Sequence, residues 1–219
     1  MSLLKSIPFY KRSTNAPKQV TSSKWFHRNT ILTDQVNLFC WKRSLDPSIS
    51  QYIKKTAALE PEPIRRYVDR NNLHEQIEAA KLEWSHIPDS QPFWQDVYKI
   101  VNDFLGFSKT ETGTLHLKVI DNDACRKFHV DGYALRLFVT YHGPGTEWLP
   151  EGAVNRSALG TVNERIVKNK EAVQRIPTGH VAILKGQLPN RPSAVKGIVH
   201  RSPEIIKTGE KRVILRVDI

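Results

Sequence analysis

The chain has 219 residues, 39% of them hydrophobic and 25% charged, with a net charge of +11, which fits one substantial globular core and excludes a wholly disordered chain. No apolar run approaches the roughly 20 residues a membrane span needs, and the three or four apolar residues near the start fall short of a secretory signal of about 7–15. Cys40 and Cys125 are too few for a disulfide framework and lie outside any CxxC pair, so we expect a reducing, cytoplasmic setting and no thiolate zinc site.

Charge is unevenly spread. Residues 1–24 hold five bases and no acid, residues 25–150 hold 15 bases and 16 acids, and residues 151–219 hold 13 bases and 6 acids. The composition predicts a flexible basic tail over 1–24 and a single domain over 25–219. An anionic partner such as nucleic acid is a weakly supported reading of the basic ends, because no aromatic-interleaved RNA motif or helix-turn-helix accompanies them.

In chain order, "ILTDQVNLFCWKR" predicts a short strand or buried turn around Val36, Leu38 and Cys40. The stretch from Pro47 to Phe107 reads as helical. Asn72 with Glu75 resembles a capping box, and Leu73, Ile77, Ala80 and Trp84 share one helical face. Ser90 and Pro92 start a second helix, whose stripe is Phe93, Val97, Ile100 and Phe104, with Gly106 as its stop.

After Gly113 the period changes from helical to alternating. Leu115, Leu117 and Val119 alternate with His116 and Lys118, as in a half-buried strand. Leu135, Leu137, Val139 and Tyr141 share a strand face that ends at Gly143-Pro144-Gly145. Further strands are expected at 180–185, 196–200 and 211–217, with loop or short helix over 151–175. Residues 25–110 are thus mainly helical and 111–219 mainly β.

His129 and Asp131 stand two apart, so on a strand both would face one point. His200, at the end of "KGIVH", supplies a third donor in the same β half. Two histidines and one carboxylate on one side of an ion are the facial set of non-haem Fe(II) oxygenases, which leaves positions open for cosubstrate and oxygen. A closed zinc site takes four protein ligands, and no fourth is evident. If 2-oxoglutarate is the cosubstrate, its distal carboxylate needs a cation; Arg212 on the last strand is ranked first and Arg216 second. Arg136, Tyr141, Thr146, Trp148 and Arg201 are candidate pocket residues, with an ion pair the simpler role for Arg136 and packing the simpler role for the aromatics. His142 and His180 are rival ligands, while His116 faces away from an apolar stripe.

The order His129-x-Asp131, strand, "GPGTEW", "PTGHVAILKG", "GIVHRSP", "GEKRVILRVD" resembles the jelly-roll Fe(II)/2-oxoglutarate dioxygenases of the prolyl-hydroxylase-like type. Pro144 stands where that family usually has a second glycine, and the spacing from His200 to Arg212 is slightly longer than usual there. The resemblance implies an α+β fold with a double-stranded β-helix (jelly-roll, cupin-like) core and N-terminal helices packed on it. It also implies Fe(II) at His129, Asp131 and His200, and 2-oxoglutarate at Arg212 or, alternatively, Arg216. The substrate would be an unknown small molecule or protein. "CRKFHVD", "TYHGPGTEWLP" and "VHRSP" are similar to the bacterial DUF1826 proteins over roughly Ile31 to the end. That likeness keeps zinc as the alternative metal, in a non-catalytic cupin-like binding protein.

Overall fold

The computed structural model describes residues 16–123, 125–188 and 196–219. Among these, ten strands form two sheets. The larger has the order β1-β2-β8-β5-β10-β4-β3, from β1 (Lys18–Ser22), β2 (Val36–Trp41), β3 (Ile64–Asp69), β4 (Thr112–Ile120), β5 (Leu135–His142), β8 (Val181–Lys185) and β10 (Arg212–Asp218). The smaller sheet, β7-β6-β9, uses β7 (Gln174–Arg175), β6 (Glu147–Leu149) and β9 (Val199–Arg201). Three helices, α1 (Pro47–Leu59), α2 (Leu73–Glu83) and α3 (Gln91–Ser108), precede β4.

Alternation assigns the two faces of the large sheet. Leu115, Leu117, Leu137, Val139, Val213 and Leu215 share one buried cluster with Phe93, Trp94, Val97, Val101 and Phe104 of α3. Burying each such side chain stabilises the fold by roughly 1.5–3 kcal/mol relative to exposure. The opposite face carries a smaller cluster, in which Ile120, Phe138, Ala182, Leu184 and Ile214 meet Ile198 and Ile205, with Trp148 of β6 packed against them. Interleaved on that same face are the polar residues that build the site.

Several local expectations change. Lys18–Ser22, assigned by composition to the basic tail, is a strand paired in parallel with β2; residues 1–15 of that tail lie outside the described residues. Within the stretch read as helical, Ile64–Asp69 is a strand paired with β4. Glu60 adopts the left-handed conformation that ends α1, and Pro61 and Pro63 then hold the chain extended. Asn72 makes no side-chain cap bond. Instead Asp69 accepts a hydrogen bond from the Asn71 N–H, and the Gln76 side chain accepts one from the Asp69 N–H. Helix α3 passes Gly106 and ends at Ser108. Gly106 makes room for Arg70, whose guanidinium nitrogen would lie 3.2 Å from an added Cβ.

Candidate metal centre

His129 and His200 sit opposite each other on neighbouring segments. Each N–H donates to the other's carbonyl, His129 to His200 at 2.9 Å and His200 to His129 at 3.0 Å, and the two rings lie 4.6 Å apart. His129 is therefore one residue of an isolated bridge rather than part of a continuous strand. Asp131 follows in a loop whose backbone is pinned by the Gln187 N–H donating to the Asp131 carbonyl at 2.7 Å. Gly186 permits this approach, because a Cβ there would stand 2.7 Å from the same carbonyl oxygen.

Among the described residues, His129, Asp131 and His200 are the group whose ligand atoms all lie within 4.8 Å of one another. His129 Nε2 is 3.5 Å from Asp131 Oδ1, and His200 Nε2 is 3.3 Å from Asp131 Oδ2. Donors bound about 2.1 Å from one ion at adjacent positions stand about 3 Å apart, so the spacing suits a shared cation.

Hydrogen bonding points the same way. Nδ1 of His129 lies 2.9 Å from the Lys127 carbonyl, and Nδ1 of His200 lies 3.3 Å from the Ile198 carbonyl. A carbonyl can only accept, which assigns a proton to Nδ1; in the neutral imidazole this turns the Nε2 lone pair toward the carboxylate, and in the protonated ring it turns an Nε2–H there. Asp131 Oδ2 is buried with no hydrogen-bond donor. A buried oxygen without a donor, faced by two imidazole nitrogens, is a set that could hold a metal ion, and the second-ring contacts are of the kind that orients a ligating imidazole.

Arg136 holds the carboxylate in place. Its Nη1 is 2.6 Å from Asp131 Oδ1 and its Nε is 2.5 Å from Asp218 Oδ1. Burial opposes ionisation of Asp131, but His129, His200 and Arg136 outweigh it and hold the carboxyl well below its usual range. The Asp131 contact raises the pKa of His129. His129 is the open side of the site, with its side chain 36% exposed against 6% for His200.

Arg212 lies on the same sheet face and is fully buried. Its guanidinium donates to Ser202 Oγ at 3.1 Å, Thr146 Oγ1 at 3.2 Å and Thr140 Oγ1 at 3.4 Å, while Nε has no partner. Burial pushes its pKa down to about 10, and Arg175 adds to the effect. The nearby Glu147 is occupied by Arg175 and Arg201, both at 2.7 Å. A buried guanidinium held by three hydroxyls and no carboxylate is built to receive an anion. Thr146 reaches it through the Gly143–Gly145 turn: Gly143 has φ +74°, and a Cβ on Gly145 would fall 1.7 Å from the Ile176 carbonyl oxygen.

Other residues singled out by the sequence are placed elsewhere. Tyr141 is a correction: it points to the helical face and donates its hydroxyl to Asp96 at 2.6 Å, so it does not line this cavity. Trp148 packs on the small apolar cluster. Arg201 lines the cavity but pairs with Glu147. Arg216 lies away from the hydroxyl cradle, with Nε 3.1 Å from Asp218 Oδ2. His180 stands beside Cys40, 3.8 Å from its sulfur, and both cysteines are free. His116 lies 3.8 Å from Asp218, and burial together with Arg216 pushes its pKa down to about 4. The sequence reading missed Thr140 and Ser202. Thr140 shares strand parity with Arg136, and Ser202 directly follows the His200-Arg201 pair, which were the signals available.

The family "Protein of unknown function (DUF1826)" matches residues 27–218. The sequence has no significant match among curated proteins. In structure, the chain is similar to a dioxygenase for auxin oxidation 1 from Arabidopsis thaliana, described as a 2-oxoglutarate binary complex, with TM-score 0.54, 10% identity, and coverage of 93% of this chain and 92% of that one. It is also similar to a dioxygenase for auxin oxidation in rice, with TM-score 0.50, 8% identity, and coverage of 88% and 77%. At these identities the likeness shows a shared fold: a large β-sheet with helices, as in 2-oxoglutarate oxygenases. No helix among the described residues is long and apolar enough to cross a membrane.

Proposed function

The chain belongs to the DUF1826 family, and from the site it carries we propose that it is an Fe(II)- and 2-oxoglutarate-dependent oxygenase. The observation that carries this reading is the pairing, on one sheet face, of a two-histidine, one-carboxylate donor set with a buried guanidinium that lacks an acid. We read the two sheets as the halves of a double-stranded β-helix, with the site between them.

In this reading His129, Asp131 and His200 hold iron, which would supply oxygen activation and open positions for the cosubstrate. Arg212 would hold the distal carboxylate of 2-oxoglutarate by charge-assisted hydrogen bonding. Thr140, Thr146 and Ser202 fix the plane of the guanidinium. Arg136 keeps Asp131 ionised and turned so that Oδ2 faces the imidazoles. The surrounding apolar residues Phe138, Ile120 and Ile214 keep bulk water from the reacting atoms. Three donors suit iron better than a closed zinc site, which would need a fourth protein ligand.

Succinate release from 2-oxoglutarate tests the proposal directly. Wild-type protein supplied with Fe(II) is expected to release succinate above background, and His129→Ala is expected to reduce release to background. Equal release by both proteins contradicts the reading.

A further inference from the structure

The cavity that opens on the two histidines is also lined by Lys118, Arg136, Arg201 and Arg216. Two of these four cations are already matched. Arg136 lies between Asp131 and Asp218. Arg201 pairs with Glu147 at 2.7 Å and approaches Glu204 at 3.6 Å.

Lys118 and Arg216 are different. Among the described residues the Lys118 ammonium has no hydrogen bond and no ion pair. Arg216 approaches an acid only through Nε, 3.1 Å from Asp218 Oδ2, in a contact too poorly aligned to be a hydrogen bond. Asp218 is in turn shared with Arg136 at 2.5 Å. The Nη groups of Arg216 therefore have no acceptor among the described residues. Burial first, and then Arg216, lowers the pKa of Lys118; burial and Arg136 lower that of Arg216. Lys118 is partly desolvated with no acid paired to it, and Arg216 has only an Asp218 that it shares with Arg136; both are better compensated if an anion joins them.

Register places the two together. Lys118 of β4 is opposite Ile214 of β10 and His116 is opposite Arg216, so Lys118 and Arg216 are diagonal neighbours on one face. Arg212 and Arg216 are four residues apart on the same strand, a backbone separation of about 13 Å. One small dicarboxylate held at Arg212 and the metal leaves Lys118 and Arg216 for a second ligand.

We propose that Lys118 and Arg216 form an anion subsite beside the metal centre, and that the molecule acted on there is a small anion held by a carboxylate or phosphate group. This rests on the oxygenase reading for the word "acted", but the subsite itself is a binding claim that can be measured separately.

The test is calorimetric titration of the full chain loaded with Co(II) and saturated with 2-oxoglutarate, using benzoate, inorganic phosphate and the neutral control benzamide. The expected result is binding of benzoate or phosphate and none of benzamide. Hydrogen bonds to charged groups set the expected loss at about 10- to 100-fold in Lys118→Met and in Arg216→Gln, with Lys118→Arg retaining affinity. Tighter benzoate assigns a carboxylate substrate and tighter phosphate a phosphorylated one. Lys118→Met removes an unpaired, half-buried cation, so its unfolding midpoint should equal or exceed that of wild type, which separates a binding defect from misfolding. If 2-oxoglutarate binds but neither anion does, or all variants bind the anions equally, the subsite is overturned and the oxygenase reading stands. If 2-oxoglutarate fails to bind while anion binding still depends on Lys118 and Arg216, the oxygenase reading falls and the subsite stands.

Discussion

The two faces of the seven-stranded sheet are built from the same strands and do opposite things. Toward the helices, Leu117, Leu137, Val139 and Leu215 close a continuous apolar core with α3. Toward the small sheet, the alternate residues of those strands are Lys118, Arg136, Thr140, Arg212 and Arg216, and several keep atoms without partners. The helical face is held by apolar contacts, with Tyr52 and Trp94 each keeping one buried polar atom unpaired; the other face gathers lone pairs and cations around one cavity and is organised around something else.

The sharpest way to break this comparison is to mutate one face and measure the property of the other. Phe93 is fully buried on the helical face. Phe93→Ala should lower unfolding free energy by about 3–5 kcal/mol in urea titrations, while the protein that remains folded binds metal with wild-type affinity. A metal defect out of proportion to the unfolded fraction would erase the division between faces.

Arg136→Met removes the group that orients Asp131. Because second-sphere partners of metal ligands contribute about 10- to 100-fold to affinity, a Co(II) titration should show a loss in that range. Affinity unchanged within error would mean that Asp131 is positioned by its loop alone. Arg212→Lys keeps the charge but loses the planar guanidinium that donates to Thr140, Thr146 and Ser202. It should raise the KM for 2-oxoglutarate about 10-fold with kcat less affected, as read from succinate initial rates. An unchanged KM would move the cosubstrate away from Arg212.

The smallest effect is in pH dependence. His116 has an ordinary pKa near 6.5 and a folded value of about 4. Between those values the unfolded chain binds a proton that the folded chain does not, so its contribution is present above about pH 6.5 and is lost as pH falls toward 4. The raised pKa of His129 acts above that window, and the depressed carboxyl of Asp131 acts below it. Metal-free His116→Gln should therefore lose less stability than wild type between pH 7 and 4.5. Parallel curves would show that His116 is solvated like a free histidine.

The apolar face was legible because its signal is periodicity. Phe93, Val97, Ile100 and Phe104 repeat at helical spacing and all are buried against the sheet. Strand β3 was not legible: "IRRYVD" buries only Ile64 and Val68 and leaves the rest exposed or half-buried at a sheet edge, so its polar residues hide the alternation. Strand β1 is equally polar, and only its pairing with β2 makes it a strand. At the site, the two-residue spacing of His129 and Asp131 signalled a shared direction. Their convergence with His200 instead depends on a backbone bridge about seventy residues away in sequence and on the close approach at Gly186. Thr140 and Ser202 carry no sequence signal of their own, since a hydroxyl on or beside a strand is commonplace until a guanidinium is seen to rest on it.

On the proposed reading, the polar face gathers three donors, His129, Asp131 and His200, for one metal ion. The most direct measurement is a Co(II) titration of metal-free protein, followed by calorimetry and visible absorption, for wild type and for His200→Ala with its unfolding midpoint checked. The account predicts one equivalent bound by wild type, with affinity reduced at least as far as the 10- to 100-fold typical of a second-sphere loss in a variant that still folds. Equal stoichiometry and affinity in the two proteins would contradict it.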